Sequence, residues 1–259
     1  MKTVRRTLCE GIVMPVFIIL YLGGGAMSAE INVMSAGAVK AAVTELAKEF
    51  QRETGHGVTF TFATVGALQQ KITAGERADL FIMSDTAIED LIKKGVVVSG
   101  SKTDIARVGI GVAVREGTPL PDISTPEALK KTLLSARSLV YMDPSKGGSS
   151  GIHFAKVVDQ MGIADALKDR TVLWPSGYAA EALLKGEAEI CVHQISEILA
   201  VRGVALVGPL PSELQKVTRY SAGLVTGAAS PDAAKAFIRF LTAPSARSKF
   251  SAVGLDYTE

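Results

Sequence analysis

Ile31-Asn-Val-Met34, Val58-Thr-Phe-Thr-Phe62 and Ala78-Asp-Leu-Phe-Ile-Met83 are three short runs of aliphatic, β-branched and aromatic residues. What lies between them decides the fold. Residues 38–51 put Val39, Ala42, Val43, Leu46 and Phe50 on one face of a helix, and Gly55-His56-Gly57 breaks it. Residues 67–73 read as a second helix, ended by Gly75. Asp85 or Thr86 is suited to cap a third, which runs to Lys94. Strand and helix alternate three times, the pattern of a parallel sheet with helices on its faces.

Toward the C-terminus the rhythm changes and then resumes. Val108-Gly-Ile-Gly-Val-Ala-Val114 reads as one long, glycine-spaced strand. Ser124-Thr-Pro-Glu127 opens a helix with a cap, an early proline and an early acid. Ser138-Leu-Val-Tyr141, Thr171-Val-Leu-Trp174 and Glu189-Ile-Cys-Val192 read as strands, with helices from about residue 151 and over 179–185. Residues 204–211 return through a Gly-Pro turn to a strand at 220–226. A helix with Ala234, Phe237, Ile238 and Leu241 on one face follows. The expected fold is α/β, with two βα lobes of parallel-rich sheets joined by a double-crossover hinge. Residues 30–109 and 219–259 form the first lobe, and residues 110–218 are inserted as the second.

Toward the N-terminus, Lys2, Arg5 and Arg6 precede an apolar run at 11–22, and Gly23-Gly-Gly-Ala-Met-Ser-Ala29 supplies small residues. Twelve apolar residues span roughly 18 Å as a helix, short of a bilayer core of roughly 30 Å. Residues 1–29 are therefore expected to be a cleaved export signal, cut near Ala29, with a periplasmic destination. Cys9 precedes the apolar run, where no lipid attachment is expected, and Cys191 is alone beyond the leader. Stability must then come from the core rather than from disulfides, which this length permits.

The chain has 259 residues, 47% hydrophobic and 21% charged, which excludes disorder. Its net charge of +2 is carried entirely by the leader, so the body is neutral and nucleic acid is not an expected partner. His56, His153 and His193 are the three histidines, and none stands at a ligand spacing from another. Neither a cofactor nor a protein-held metal is expected. No phosphate-loop lysine motif is present, so ATP hydrolysis by this chain is not expected either.

In such lobes ligands bind beyond the carboxyl ends of strands, where helix N-termini present unpaired N–H groups. Four junctions are built from residues small enough to let a ligand approach the backbone. They are Ser35-Ala-Gly-Ala38, Ala63-Thr-Val-Gly66, Ser145-Lys-Gly-Gly-Ser-Ser-Gly151 and Pro175-Ser-Gly-Tyr178, two in each lobe. Each is also what an ordinary βα turn looks like. Together they describe an anion site needing few charged side chains.

The leader, Ser35-Ala-Gly-Ala-Val-Lys40, Phe62-Ala-Thr64, Ile72-Thr-Ala-Gly75, Ala78-Asp-Leu-Phe-Ile82, and Asp143-Pro144 with Ser150-Gly-Ile152 resemble the molybdate-binding family of periplasmic solute-binding proteins. The resemblance covers essentially all residues beyond the leader. It implies a type II binding-protein fold, hinged between lobes, that delivers an anion to an ABC importer; a monomer working with a permease of the inner membrane is the expected form. It further implies neutral donors around molybdate or tungstate: two serines of the first lobe, two backbone amides of the second and a tyrosine. Carried over by position, the first serine falls at Ala38 and the second at Val65, beside Thr64. The amides fall at Ser150 and Ser176, and the tyrosine at Gln194, with Tyr178 in a neighbouring loop. Ser35 and Thr64 offer hydroxyls from the first two junctions. The ligand-binding set is thus Ser35, Ala38, Thr64, Val65, Ser150, Ser176 and Gln194, with no catalytic residue.

Three side-chain donors of the family pattern are changed here, which leaves a second ligand class open. Lys40, Lys146, Arg77 and His193 lie in or near segments able to reach the cleft, and a cation there would favour a small organic di- or tricarboxylate. An enzyme is the remaining alternative. Cys191 and His193 are two apart on an expected strand, the raw material of a thiol nucleophile, without a visible orienting partner.

Overall fold

The computed structural model describes residues 28–256. The expected leader, apart from Ser28 and Ala29, lies outside the described residues. In chain order the elements are β1 (Glu30–Ala36), α1 (Lys40–Thr54), β2 (Gly57–Ala63), α2 (Val65–Thr73), β3 (Leu80–Ser84), α3 (Asp85–Lys93), β4 (Thr103–Val108) and β5 (Ile110–Arg115). Next come α4 (Pro126–Ser135), β6 (Leu139–Met142), α5 (Ser149–Gln160), α6 (Ala164–Leu167), β7 (Thr171–Trp174), α7 (Glu181–Lys185) and β8 (Ile190–Gln194). The last are α8 (Ile195–Leu199), β9 (Val204–Pro209), β10 (Thr218–Leu224), α9 (Pro231–Leu241) and α10 (Arg247–Ser251). No helix among the described residues is long and apolar enough to cross a membrane.

The strands form two five-stranded sheets, ordered β2-β1-β3-β10-β4 and β7-β6-β8-β5-β9. Each is mixed. In the first, β2, β1 and β3 are parallel and β10 runs against both its neighbours. In the second, β7, β6 and β8 are parallel and β5 runs against both its neighbours. The opposed strand in each sheet is one that begins just after the chain has crossed from the other. It therefore returns beside β3 or β8 without a helical crossover, as an antiparallel neighbour.

Strand pleating divides each core in two. Ile31, Val33, Leu80 and Ile82 pack with Val43, Leu46, Phe50, Phe237 and Leu241 of α1 and α9. Met34, Phe81 and Met83, one residue out of phase, pack with Leu68, Ile88 and Leu91 of α2 and α3. A sheet covered on both faces explains why β3 is apolar without alternation. In the second sheet Ile110, Val112 and Val114 meet Leu129, Leu133 and Phe154. Ala113, Val140 and Cys191 meet Ala182, Leu183 and Ile198 on the opposite face.

The run 108–114, expected as one strand, is two. β4 ends at Val108 in the first sheet and β5 begins at Ile110 in the second. The break has a tertiary cause. Gln215, in the return crossover, accepts from the Ile110 N–H at 2.8 Å and donates to the Ile110 carbonyl at 2.8 Å. A Cβ on Gly109 would lie 3.2 Å from that amide, so glycine leaves the clamp room to close. The two crossovers are thereby tied to each other.

Candidate functional site

The carboxyl ends of β1 and β2 face those of β6, β7 and β8 across a cleft of about 420 Å³. Four junctions converge on it. From the first lobe come the 3-10 turn Gly37–Val39 and the N-terminus of α2; from the second come the N-terminus of α5 and the loop at 176–178. The first-turn N–H groups of such helices have no partner within the helix, so they are aimed at whatever occupies the cleft.

Six residues expected at the site line it: Ala38, Thr64, Val65, Ser150, Ser176 and Gln194. Ser35 does not. It shares a face of β1 with Ile31 and Val33, is wholly buried, and donates its hydroxyl to the Ala36 carbonyl at 3.2 Å. Ala36, the last residue of β1, lines the cleft instead. Of the basic residues, Lys40 reaches the cleft. Its Nζ stands 5.4 Å from the Phe62 ring and 5.7 Å from the Tyr178 ring, between one lobe and the other. His193 also lines the cleft, whereas Lys146 and Arg77 are exposed and do not.

The two lobes touch across this cleft. The Thr64 hydroxyl, which also accepts from Ala67 N–H as the cap of α2, donates to the Lys146 carbonyl. Gly66 N–H donates to the Gly147 carbonyl at 3.2 Å, and Ser196 donates to the Ala38 carbonyl at 2.7 Å. Thr64 is thus spent on holding the lobes together and does not present a free hydroxyl. The arrangement is a closed one, with the mouth latched by backbone.

At the floor stand Tyr220 and Glu197, which lie outside every junction read from the sequence, and Ser149, which lies inside one of them with nothing to mark it as a donor. Tyr220 of β10 is buried, and its hydroxyl meets Ser149 and Gln194. Burial, with the Glu197 charge nearby, pushes its phenol pKa well up, so it remains a protonated donor. Ser149 accepts from the Gln194 side-chain amide at 3.0 Å. Glu197 of α8 lies beside His193, with Oε2 at 3.1 Å from Nδ1 and its side chain 12% exposed. Burial raises the Tyr178 phenol, with Glu197 and Glu181 adding to it, which puts both carboxylates within electrical reach of the cleft. Two buried polar atoms here lack a protein partner, His193 Nε2 and Gln194 Oε1. Unpaired polar atoms at this depth are costly, and both belong to residues that line the cleft.

Cys191 does not join them. It is wholly buried in the second-lobe core, and burial, with Glu197 second, drives its thiol pKa far up. A thiol that is neither ionised nor accessible is no nucleophile, which removes the Cys/His alternative at this position. Iodoacetamide should leave Cys191 of the native protein unmodified and label it fully in denaturant, as read by peptide mass. Labelling of the native protein at the rate of the unfolded one would contradict this burial.

The model of the bacterial extracellular solute-binding protein family matches residues 31–256. A protein of Pseudomonas sp. named aconitate isomerase is 29% identical over 231 residues, covering 87% of each chain. The molybdate-binding protein ModA of Escherichia coli is 26% identical over 238 residues, covering 90% of this chain and 92% of its own. Among solved structures, the periplasmic molybdate-binding protein of Azotobacter vinelandii superposes with a TM-score of 0.73 at 20% identity, covering 88% of this chain and all of its own. The sulfate-binding protein SubI of Mycobacterium tuberculosis superposes equally, at 0.73 and 18% identity, covering 89% and 88%. With two mixed-sheet lobes around a cleft, and a family model spanning both, the chain belongs to the bacterial extracellular solute-binding proteins and has the type II periplasmic binding-protein fold.

Proposed function

We propose that this chain is an exported, monomeric receptor whose cleft closes on a small organic di- or tricarboxylate and presents it to an ABC permease in the inner membrane. The observation that carries the ligand class is the mixture of donors and acceptors around a cleft of about 420 Å³. A lone tetrahedral oxyanion asks for donors on every side and fills a fraction of that space. Here Ala38, Val65 and Gln194 line the cleft at the positions where the resemblance to molybdate binders implies side-chain hydroxyls, and Glu197 and Glu181 add acceptors. A polycarboxylate has several separated oxygens to place on the amides near Ala38, Val65, Ser150 and Ser176, and on Tyr220. Its carbon skeleton can rest on Phe62 and Met142, and Lys40 supplies the cation. The volume suits an organic ligand. The Pseudomonas relative, by its name, acts on aconitate, which is a tricarboxylate.

A thermal-shift panel tests this. Citrate, aconitate, succinate and malonate are compared with molybdate, tungstate, sulfate and phosphate. At one hundred times Kd a ligand adds about 2.7 kcal/mol, roughly 5–11 °C for a chain of this size. A shift with carboxylates supports the proposal. A shift with molybdate and tungstate alone would return the cleft to the ligand class named for the Escherichia coli and Azotobacter vinelandii relatives.

A second reading, that the cleft also converts its ligand, is favoured by the Glu197–His193 pair, two groups able to move a proton beside the binding amides. Incubating cis-aconitate with the protein and following the trans isomer by proton NMR decides it. No isomer above the protein-free control would leave the chain a binder.

A further inference from the structure

The cleft of an anion receptor should be lined by donors, yet this one holds two acceptors, the Glu197 carboxylate and the Gln194 amide oxygen. Glu197 is a carboxylate on α8, and the group beside it is His193 Nδ1, 3.1 Å from its Oε2. That nitrogen already accepts from the Gln194 N–H at 2.8 Å. The competition at Nδ1 goes to the backbone N–H, which the β8–α8 junction fixes in place. A ring accepting at Nδ1 carries its hydrogen on Nε2, so it has no hydrogen to give Glu197. Nε2 is itself buried without a partner. Gln194 Oε1 is the second acceptor, buried and unpaired while its nitrogen donates to Ser149. The other carboxylate oxygen of Glu197 stands against the opposite lobe, 2.8 Å from where a Cβ on Gly37 would lie. Glu197 is therefore held at the seam where both lobes meet the ligand, and a ligand offering acceptors alone would leave it facing negative charge.

We infer that the cleft selects an anion carrying a hydrogen-bond donor of its own, an alcohol or acid O–H, and that Glu197 is the specificity-determining acceptor. The inference rests on the carboxylate reading and narrows it to hydroxy-acids, so that aconitate, which has no hydroxyl, is expected to bind more weakly here than citrate. His193 Nε2–H and the helix amides hold the anionic oxygens, and the ligand hydroxyl points to Glu197, with Gln194 Oε1 as the second acceptor. A site built to take a hydroxyl rejects the analogue that lacks it, because its own acceptor is then left buried and unpaired.

Calorimetric titration of matched pairs at neutral pH provides the test: malate against succinate, citrate against tricarballylate, and hydrogen phosphate against sulfate. The donor-bearing member should bind about tenfold tighter or more. In Glu197→Gln, which keeps the shape but offers N–H to the ligand, the preference should vanish or invert. Glu197→Ala should lose it while still binding the simpler anion, and thermal melts of both variants check folding. Succinate and tricarballylate binding as tightly as their hydroxylated partners would overturn the inference and leave the carboxylate reading standing. So would a preference that survives both substitutions. Phosphate bound over sulfate, with no carboxylate bound, would overturn the carboxylate reading and sustain the donor rule. Sulfate over phosphate with no carboxylate bound, or no binding of any of the six, would overturn both.

Discussion

Gly66→Ala should weaken ligand binding by about ten- to a hundredfold while leaving the ligand-free protein as stable as before, or slightly more so. The two effects have opposite origins. Gly66 lies in the first turn of α2, where alanine is the better helix former by up to about 1 kcal/mol. In the closed arrangement, however, a Cβ at this position would lie 2.7 Å from the Gly147 Cα and 3.3 Å from the Lys146 carbonyl. Those are backbone atoms that no rotamer change can move. Gly147 cannot give way, since it sits at φ +72° and accepts from the Gly66 N–H. The cost falls on closure, which the ligand must then meet from its own binding free energy. Titration with whichever anion the panel identifies gives the affinity, and a ligand-free melt gives the stability. Unchanged affinity would mean that the lobes need not meet at this point when ligand is held.

Asp79→Ala should lower the melting temperature by roughly 6–12 °C. Asp79 is 2% exposed and is the one buried acid among the described residues. One carboxylate oxygen accepts from Asn32 N–H in β1 and the other from Ser230 N–H at the start of α9, each at 2.9 Å. It thus joins Asn32 to Ser230, from the two separate stretches of chain that build the first lobe. Removing it leaves two donors in a dry site, at a cost of about 3 kcal/mol. Asp79→Asn retains one acceptor and should fall between. A ligand titration of the folded variant should be unaffected, since Asp79 is remote from the cleft residues. A melt within about 2 °C of wild type would show that water replaces the carboxylate.

The elements that sequence made legible are those whose signal is local. Residues 38–51 carry a helical stripe and 78–83 a doubly covered strand, and both stand where expected, within a few residues. The division of 108–114 between two sheets was not legible. The run is uniformly apolar, and the side chain that parts it, Gln215, is about a hundred residues away. At the site the four small-residue junctions were readable because a ligand near a backbone demands small residues nearby. Ser35 was misplaced because composition alone does not say which residue at the end of β1 reaches the cleft and which is buried in the lobe. Tyr220 and Glu197 had no signature of their own, and Ser149 was one small residue of a junction with nothing to single it out. Each reaches the floor through packing of a strand or helix chosen for other reasons, and only the assembled lobes bring them together.

The bond that Gln215 makes to both polar groups of Ile110 has a mechanical meaning. Two separate strands of chain joining two bodies would permit sliding, twisting and bending in combination. Riveted together beside Gly109, they behave as a single pivot, and bending is the softest motion left. A receptor built this way opens and shuts like a door on one pin, so its rim residues meet the same partners at every closure.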